Sequence, residues 1–366
     1  MEIGSVLELD DIGLYRIPQN DIRFILPFMG DKSDRYETVF YQSGRNAIEI
    51  LMLFLKEKSN ISEVYLPDYV CASVKDAVLR AGLKVTEYRV NRDYQTDIGF
   101  IEANISDNAC FFTAHYFGQK MSADVVKLAK ELGKRNIVTV EDITMSLLSK
   151  DEGYVGFGDY IIGSIRKWLP IPDGGFISSN TKELPEPVTD KKVSRYTDYY
   201  MAVQMMKRKY VDGGYKDKEL KEIYMGYYSL SIDELFSDYS FYPMSEWSRA
   251  YIANVNLDEV IQKRKHNLSY LSKLLSKIGP IRIKVKYEDG YLPLGLVIEA
   301  DDREELIKYL ISNDVYCNVH WRLNSEANED VTYLGEHSIT IPCDQRYSDK
   351  EMKRVADLIA AWYKDR

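Results

Sequence analysis

The sequence predicts an α/β fold: a large domain built on a mostly parallel sheet, followed by a smaller C-terminal α/β domain. Three observations carry this expectation. Short apolar runs alternate with helix-length amphipathic stretches from about residue 45 to 180, the pattern of parallel strands joined by crossovers. The same alternation restarts after Gly279. A length of 366 residues suits two domains at roughly 150 residues each. They are expected at 20–260 and 261–366.

The elements follow in chain order. Residues 45–57, RNAIEILMLFLKE, have helical length and a broad apolar face. EVYLP is a short apolar run stopped by Pro67. A helix over 72–82 closes at Gly82. KVTEYRV alternates as a strand, and ACFFTAHYFG is a buried-strand run ending at Gly118. Ser122 and Asp124 open a helix reaching about 133. NIVTVED, GDYIIGS and GGFISS supply three further strands. The stretch 188–242 is charged, reads as helix and loop, and holds ten of the 29 tyrosines. A long helix over 245–278 is expected to break near Asn254. Beyond it, IRIKVKY, PLGLVIEA, VYCNVHW and SITIP read as strands. Residues 302–312 and 348–364 read as helices, the second opened by a capping box of Ser348 and Glu351.

Composition removes several function classes. The net charge is −9, which argues against non-specific nucleic-acid binding. No stretch approaches 18 uncharged apolar residues, so no membrane span is expected. The first residues lack a basic region followed by an apolar run, so no signal peptide is expected. The four cysteines are scattered without C-x-x-C spacing, which suits a reducing cytoplasm. The four histidines form no H-E-x-x-H or other helical pair at ligand spacing, so no metal is expected. No phosphate-loop motif occurs, and GYVGFGDYI lacks the third glycine of a dinucleotide fingerprint.

In parallel sheets ligands sit beyond the carboxyl ends of the strands. That rule points at Pro67–Cys71, His115–Gly118, Asp142 and Ser164–Lys167. Four segments stand in a telling order: YQSGRNAIEI, VTVEDITMS, GFGDYIIGSIRKWLPIPDGG, then a small α/β domain. Lys167 follows Asp142 by 25 positions. This ordered set resembles the fold-type I enzymes that use pyridoxal 5′-phosphate (PLP), and more narrowly the DegT/DnrJ/EryC1/StrS sugar aminotransferases. The resemblance runs from about residue 40 to 362.

The resemblance implies a PLP-dependent aminotransferase that moves an amino group, with glutamate as donor, to a nucleotide-linked keto sugar in polysaccharide or secondary-metabolite biosynthesis. PLP needs an amine to hold it as a Schiff base and a carboxylate to keep its ring nitrogen protonated. Lys167 and Asp142 match those positions. Taken alone, Asp142 has a plainer reading as a cap after a strand, and Lys167 as a solvated surface lysine. Ser43 and Gly44 match the family's phosphate-binding helix start. Arg45 stands where the family has Thr or Ser and is a cation suited to the phosphate. Ser164, three residues before Lys167, is a further phosphate candidate, Ile162 occupying the family's more usual serine position.

Other departures stand out. Met145 replaces His or Gln. Cys71 falls at the position of the ring-stacking aromatic, with Tyr69 nearby as a substitute. In SFYPMSEWS, Phe241 and Pro243 replace the Asn and Arg of an element that reaches the partner subunit's cofactor. His115, His320 and Arg322 match positions that face substrate in relatives, with a packed loop histidine and a plain strand end as the alternative readings. A homodimer is implied, with the ten tyrosines of 196–242 at its interface and substrate cleft. Relatives that dehydrate sugars carry His in place of Lys167, so transfer is favoured. PLP chemistry on another small carbonyl compound, and a non-catalytic PLP-fold binding protein, remain as alternatives.

Overall fold

The computed structural model describes residues 1–9, 24–150, 153–188, 192–285, 287–288, 290–323 and 328–364. The expected domain start at residue 20 lies outside them. The chain begins with β1 (Ile3–Gly4), β2 (Glu37–Tyr41), α1 (Gly44–Lys58), β3 (Glu63–Pro67), α2 (Ala72–Arg80) and β4 (Lys84–Tyr88). It continues through α3 (Ile98–Asn104), β5 (Ala109–Ala114), α4 (Ala123–Lys134), β6 (Val138–Asp142), β7 (Tyr160–Ser164) and β8 (Gly175–Ser179). β5 is an apolar run covered on both faces, all six of its residues buried.

These strands make a seven-stranded sheet in the order β2-β8-β7-β6-β5-β3-β4. The five strands β4, β3, β5, β6 and β7 run parallel, while β8 is antiparallel to both β7 and β2. Register aligns Ala114 with Asp142 and Asp142 with Ile162. The carboxyl ends of β5, β6 and β7 therefore open at one level. At that level α1 begins, its first turn capped by the Ser43 hydroxyl, which accepts the Asn46 N–H at 3.2 Å.

Helices α5 (Arg195–Asp212) and α6 (Lys218–Ser237) form a hairpin, followed by α7 (Glu246–Asn254) and α8 (Leu257–Leu275). The expected break near Asn254 is present, because Asn256 caps α8 through the Glu259 N–H. The remainder is β9 (Arg282–Ile283), β10 (Leu296–Glu299), α9 (Arg303–Ser312), β11 (Val315–Tyr316), α10 (Glu329–His337), β12 (Ser338–Ile341) and α11 (Asp349–Lys364). Strands β12, β10 and β9 make an antiparallel sheet, and β11 pairs in parallel with β1.

Two expected strands shrink. IRIKVKY keeps two strand residues, as does VYCNVHW. Alternation reports a half-buried face, whereas a strand also needs a partner backbone. The helix α10, capped by Asn328, was not expected from the sequence.

The tyrosine-rich region needs correction. Tyr196, Tyr200, Tyr210 and Tyr224 are buried together inside the α5–α6 hairpin, with Tyr215 and Tyr228 packed against them. Only Tyr227 and Tyr239 of the ten are exposed. Most of the rings thus form the hairpin's own core rather than an interface.

Candidate active site

A cleft opens where β5, β6 and β7 end and α1 begins. Ser43, Gly44 and Arg45 line its α1 side, and His115, Asp142, Ser164 and Lys167 its strand ends. Cys71, Met145, Arg166 and Trp321 complete the parts that matter below. Chain positions from 43 to 321 thus meet at one place.

Asp142 is the last residue of β6, and its Oδ1 accepts the Thr144 N–H at 2.8 Å. The capping role that the residue alone would suggest is therefore real, and the carboxylate faces the cleft as well. Lys167 ends the short 3-10 turn Ile165–Lys167 that leaves β7. Burial pushes its amine below the ordinary lysine range and the neighbouring Arg166 charge adds to this, while Cys71 and Asp142 oppose it. It is not a solvated surface lysine.

The α1 end supplies backbone donors at a helix N-terminus. A Cβ placed on Gly44 would sit 3.4 Å from the Ser164 Cβ, so β7 and α1 meet closely there. Ser164 is buried and caps nothing with its hydroxyl. Arg45 donates from Nη1 to the Leu235 carbonyl at 2.5 Å and lies 4.6 Å over the Phe236 ring. Among the described residues, the buried Nε atoms of Arg45 and Arg166 and the Nδ1 of His115 have no hydrogen-bond partner. The unsatisfied Arg45 Nε beside a helix start, with a lysine amine and a carboxylate opposite, fits a planar anionic group such as PLP.

His115 is held by a 2.8 Å contact of its Nε2 with Glu141, whose carboxylate also accepts the N–H groups of Gly156 and Gly158. It is packed, as the plainer reading expects, and it also lines the cleft. Tyr69 does not line the cleft. It is fully buried among Tyr94, Tyr116 and Trp321, and its hydroxyl donates to the His320 carbonyl. Cys71 does face the cleft, its sulfur 3.1 Å from the Ser73 hydroxyl. The aromatic side chain in the cleft is Trp321, which sequence matching missed although it adjoins His320.

His320 stands on the other side of Lys167. Its Nδ1 lies 3.0 Å from the Thr340 hydroxyl, and burial, helped by the Lys167 charge, pushes its pKa down to about 3. It is neutral at ordinary pH. Arg322 is not brought to the site: it is 56% exposed and ion-paired with Glu304 in the first turn of α9. Two residues after the part-buried His320, the chain has turned outward. Phe241 and Pro243 are also outside the cleft; Pro243 bridges to Tyr41, and the Tyr242 carbonyl accepts the Gln42 N–H at 3.0 Å.

Comparison with protein-family models and with curated proteins gives no match. Solved structures do match. A DegT DnrJ EryC1 StrS aminotransferase from Brucella abortus is 13% identical, with 89% of this chain and 86% of that one covered and a TM-score of 0.62. DesI, solved in the presence of its TDP-sugar product, is 16% identical over 89% of this chain and 80% of its own, with a TM-score of 0.62. Spr1654 from Streptococcus pneumoniae, in its PLP form, is 15% identical over 88% and 86%, again with a TM-score of 0.62. At these identities the likeness establishes the fold, which is the fold of those chains.

Proposed function

We propose that this chain is a PLP-dependent aminotransferase that moves an amino group from glutamate to a nucleotide-linked keto sugar, serving polysaccharide or secondary-metabolite biosynthesis. The observation that carries the reading is the meeting of the Lys167 amine and the Asp142 carboxylate in one cleft with the Ser43–Gly44 start of α1. PLP bound there supplies an electron sink for the carbon whose C–H bond breaks. Asp142 keeps a positive charge on the ring nitrogen favourable. Lys167 would hold the cofactor and carry the substrate proton, and its lowered basicity suits a proton acceptor. Ser43, Gly44, Arg45 and Ser164 hold the phosphate. Cys71 and Trp321 border the ring, with Tyr69 packed behind Trp321, and His115 and His320 flank the substrate.

The sugar part of the reading is supported by the fold shared with DesI, solved with its TDP-sugar product. A homodimer is supported by an exposed apolar stripe on α6, where Ile223, Tyr227 and Leu230 are 46%, 38% and 48% exposed. A reducing cytoplasm suits four cysteines that are all free. Among the described residues no helix is long and apolar enough to cross a membrane.

The test is spectroscopic. Protein mixed with PLP should turn yellow, keep the label after borohydride, and do neither as Lys167→Ala. Glutamate should bleach the band, and the correct keto sugar should restore it. A wild type that stays colourless with PLP sinks the proposal.

A further inference from the structure

The cleft is one of two chambers that meet at the Ile165–Lys167 turn. The second, partly open to solvent, lies on the other side of that turn. Arg166 and Lys167 belong to the walls of both. Ser43, Gly44 and Asp142 face only the first, whereas Tyr228, His320 and the strap Ser5–Leu7 face only the second. A molecule that must meet the Lys167 amine while the first chamber holds a cofactor has the second chamber as its place.

That chamber is walled by a segment fixed in position. Gly4 lies so close to β11 that a Cβ on it would fall 1.9 Å from the Tyr316 carbonyl oxygen. Its φ of +88° suits glycine. Beyond it, the Val6 carbonyl and the Glu8 carboxylate each accept from Arg346 at 3.0 Å.

Arg166 is the cation of this chamber. Its guanidinium carbon lies 5.6 Å from the Tyr196 ring and 5.5 Å from the Tyr200 ring. Among the described residues no carboxylate pairs with it; the Tyr200 hydroxyl is its side-chain hydrogen-bond partner, and its buried Nε has none. Apart from Lys167, which also lines the chamber, the basic groups there are spent or neutral: Arg346 pairs with Asp344 and Glu8, and His320 is uncharged at ordinary pH. Burial alone would disfavour the Arg166 charge, but the Tyr196, Tyr200 and Tyr228 hydroxyls outweigh it and keep the guanidinium charged, so it is a standing cation for an anion that enters the chamber. Its fork matches a carboxylate.

We infer that Arg166 binds the carboxylate of the amino-group donor in this second chamber, one residue from the amine that handles the donor's proton. The inference rests on the PLP reading of Lys167, and its test separates the two.

Holoprotein is titrated with glutarate, a dicarboxylate with neither amine nor keto group, and binding is followed by calorimetry. PLP affinity is measured in parallel by absorbance. Arg166→Gln should weaken glutarate about 10- to 100-fold while PLP affinity stays within about twofold. Arg166→Lys keeps the charge and loses the fork, so it should fold normally and weaken glutarate about tenfold; if the Gln variant does not fold, this one decides. Glutarate binding that is absent in wild type, or equal in wild type and Arg166→Lys, overturns the assignment. So does loss of PLP affinity with glutarate binding intact, which would place Arg166 on the cofactor phosphate. Arg166-dependent glutarate binding by a protein that takes up no PLP would support the anion site while refuting the PLP reading.

Discussion

Gly175 lies directly beneath Ser43: a Cβ built on it would stand 2.1 Å from both the carbonyl carbon and oxygen of Ser43. The first residue of β8 and the cap of α1 therefore touch backbone to backbone, which seats the start of α1 against the β7–β8 hairpin. Gly175→Ala must push Ser43 and Gly44 away. Overpacking of this kind costs about 1–3 kcal/mol. The variant should melt earlier than wild type and bind PLP more weakly; unchanged melting and unchanged PLP titration would refute the close approach.

Arg45 has a free buried Nε at the same end of the cleft. If it reaches the phosphate, Arg45→Ala should weaken PLP about tenfold or more, the value of about 1.5 kcal/mol for a charge-assisted hydrogen bond. Pyridoxal without its phosphate should be affected far less. An Arg45→Ala protein with full PLP affinity sinks the assignment.

The amine of Lys167 should titrate below the ordinary value of about 10.4, because it is buried and faces the charge of Arg166. Between its native value and about 10.4 the native state binds fewer protons than the unfolded chain, so this lysine makes stability rise with pH across that window. Removing the like charge in Arg166→Gln should raise the value, and removing the opposite charge in Asp142→Asn should lower it. The pH dependence of amine labelling in the cofactor-free protein measures both, and shifts in the reverse directions would contradict the geometry.

Glu2 is a buried carboxylate 2.5 Å from the buried ammonium of Lys207, and it also accepts from Lys221. Burial alone would raise its pKa; the two ammonium groups outweigh this and hold it below the carboxylate range. Glu2→Gln strands Lys207, and breaking a buried pair costs about 3–5 kcal/mol. The native value is depressed, so the stability from this group is present above the unfolded value of about 4.3 and is lost as pH falls through the lower native one. Wild type should lose this increment on acidification and Glu2→Gln should not. Parallel acid melting curves for the two would count against the pair.

Trp321 is the aromatic side chain bordering the cleft. PLP should quench part of the tryptophan emission in wild type, and Trp321→Phe should lose that quenched component. Quenching of the same size in both proteins would move the ring elsewhere.

Much of the fold was legible because hydrophobic period and capping are local. The run ACFFTA is apolar at every position because β5 is covered on both faces, and Ser43 and Ser122 mark helix starts because a hydroxyl satisfies an exposed N–H. Lys167, Asp142 and Ser43–Gly44 were legible for a related reason, since strand ends and helix starts on one sheet edge are placed by topology. Arg322 was misjudged because its neighbour in sequence, His320, is buried while Glu304, 18 positions earlier, captures the guanidinium. Tyr69 is buried and Trp321 lines the cleft instead, because ring packing depends on segments far apart in the chain.

The sequence by itself determined the strand–helix alternation and the sheet edge where the site lies, because both follow from periodicity and chain order, and its resemblance to a known family singled out Lys167 and Asp142 at that edge. Tertiary structure alone decided that most of the region's tyrosines fill the α5–α6 hairpin, that residues 5–7 wall a second chamber, and that Arg166 stands between the chambers among the described residues without a counter-charge. Those outcomes turn on burial and pairing between residues far apart in the chain, and local pattern carries no record of which distant group will satisfy a charge or cover a ring.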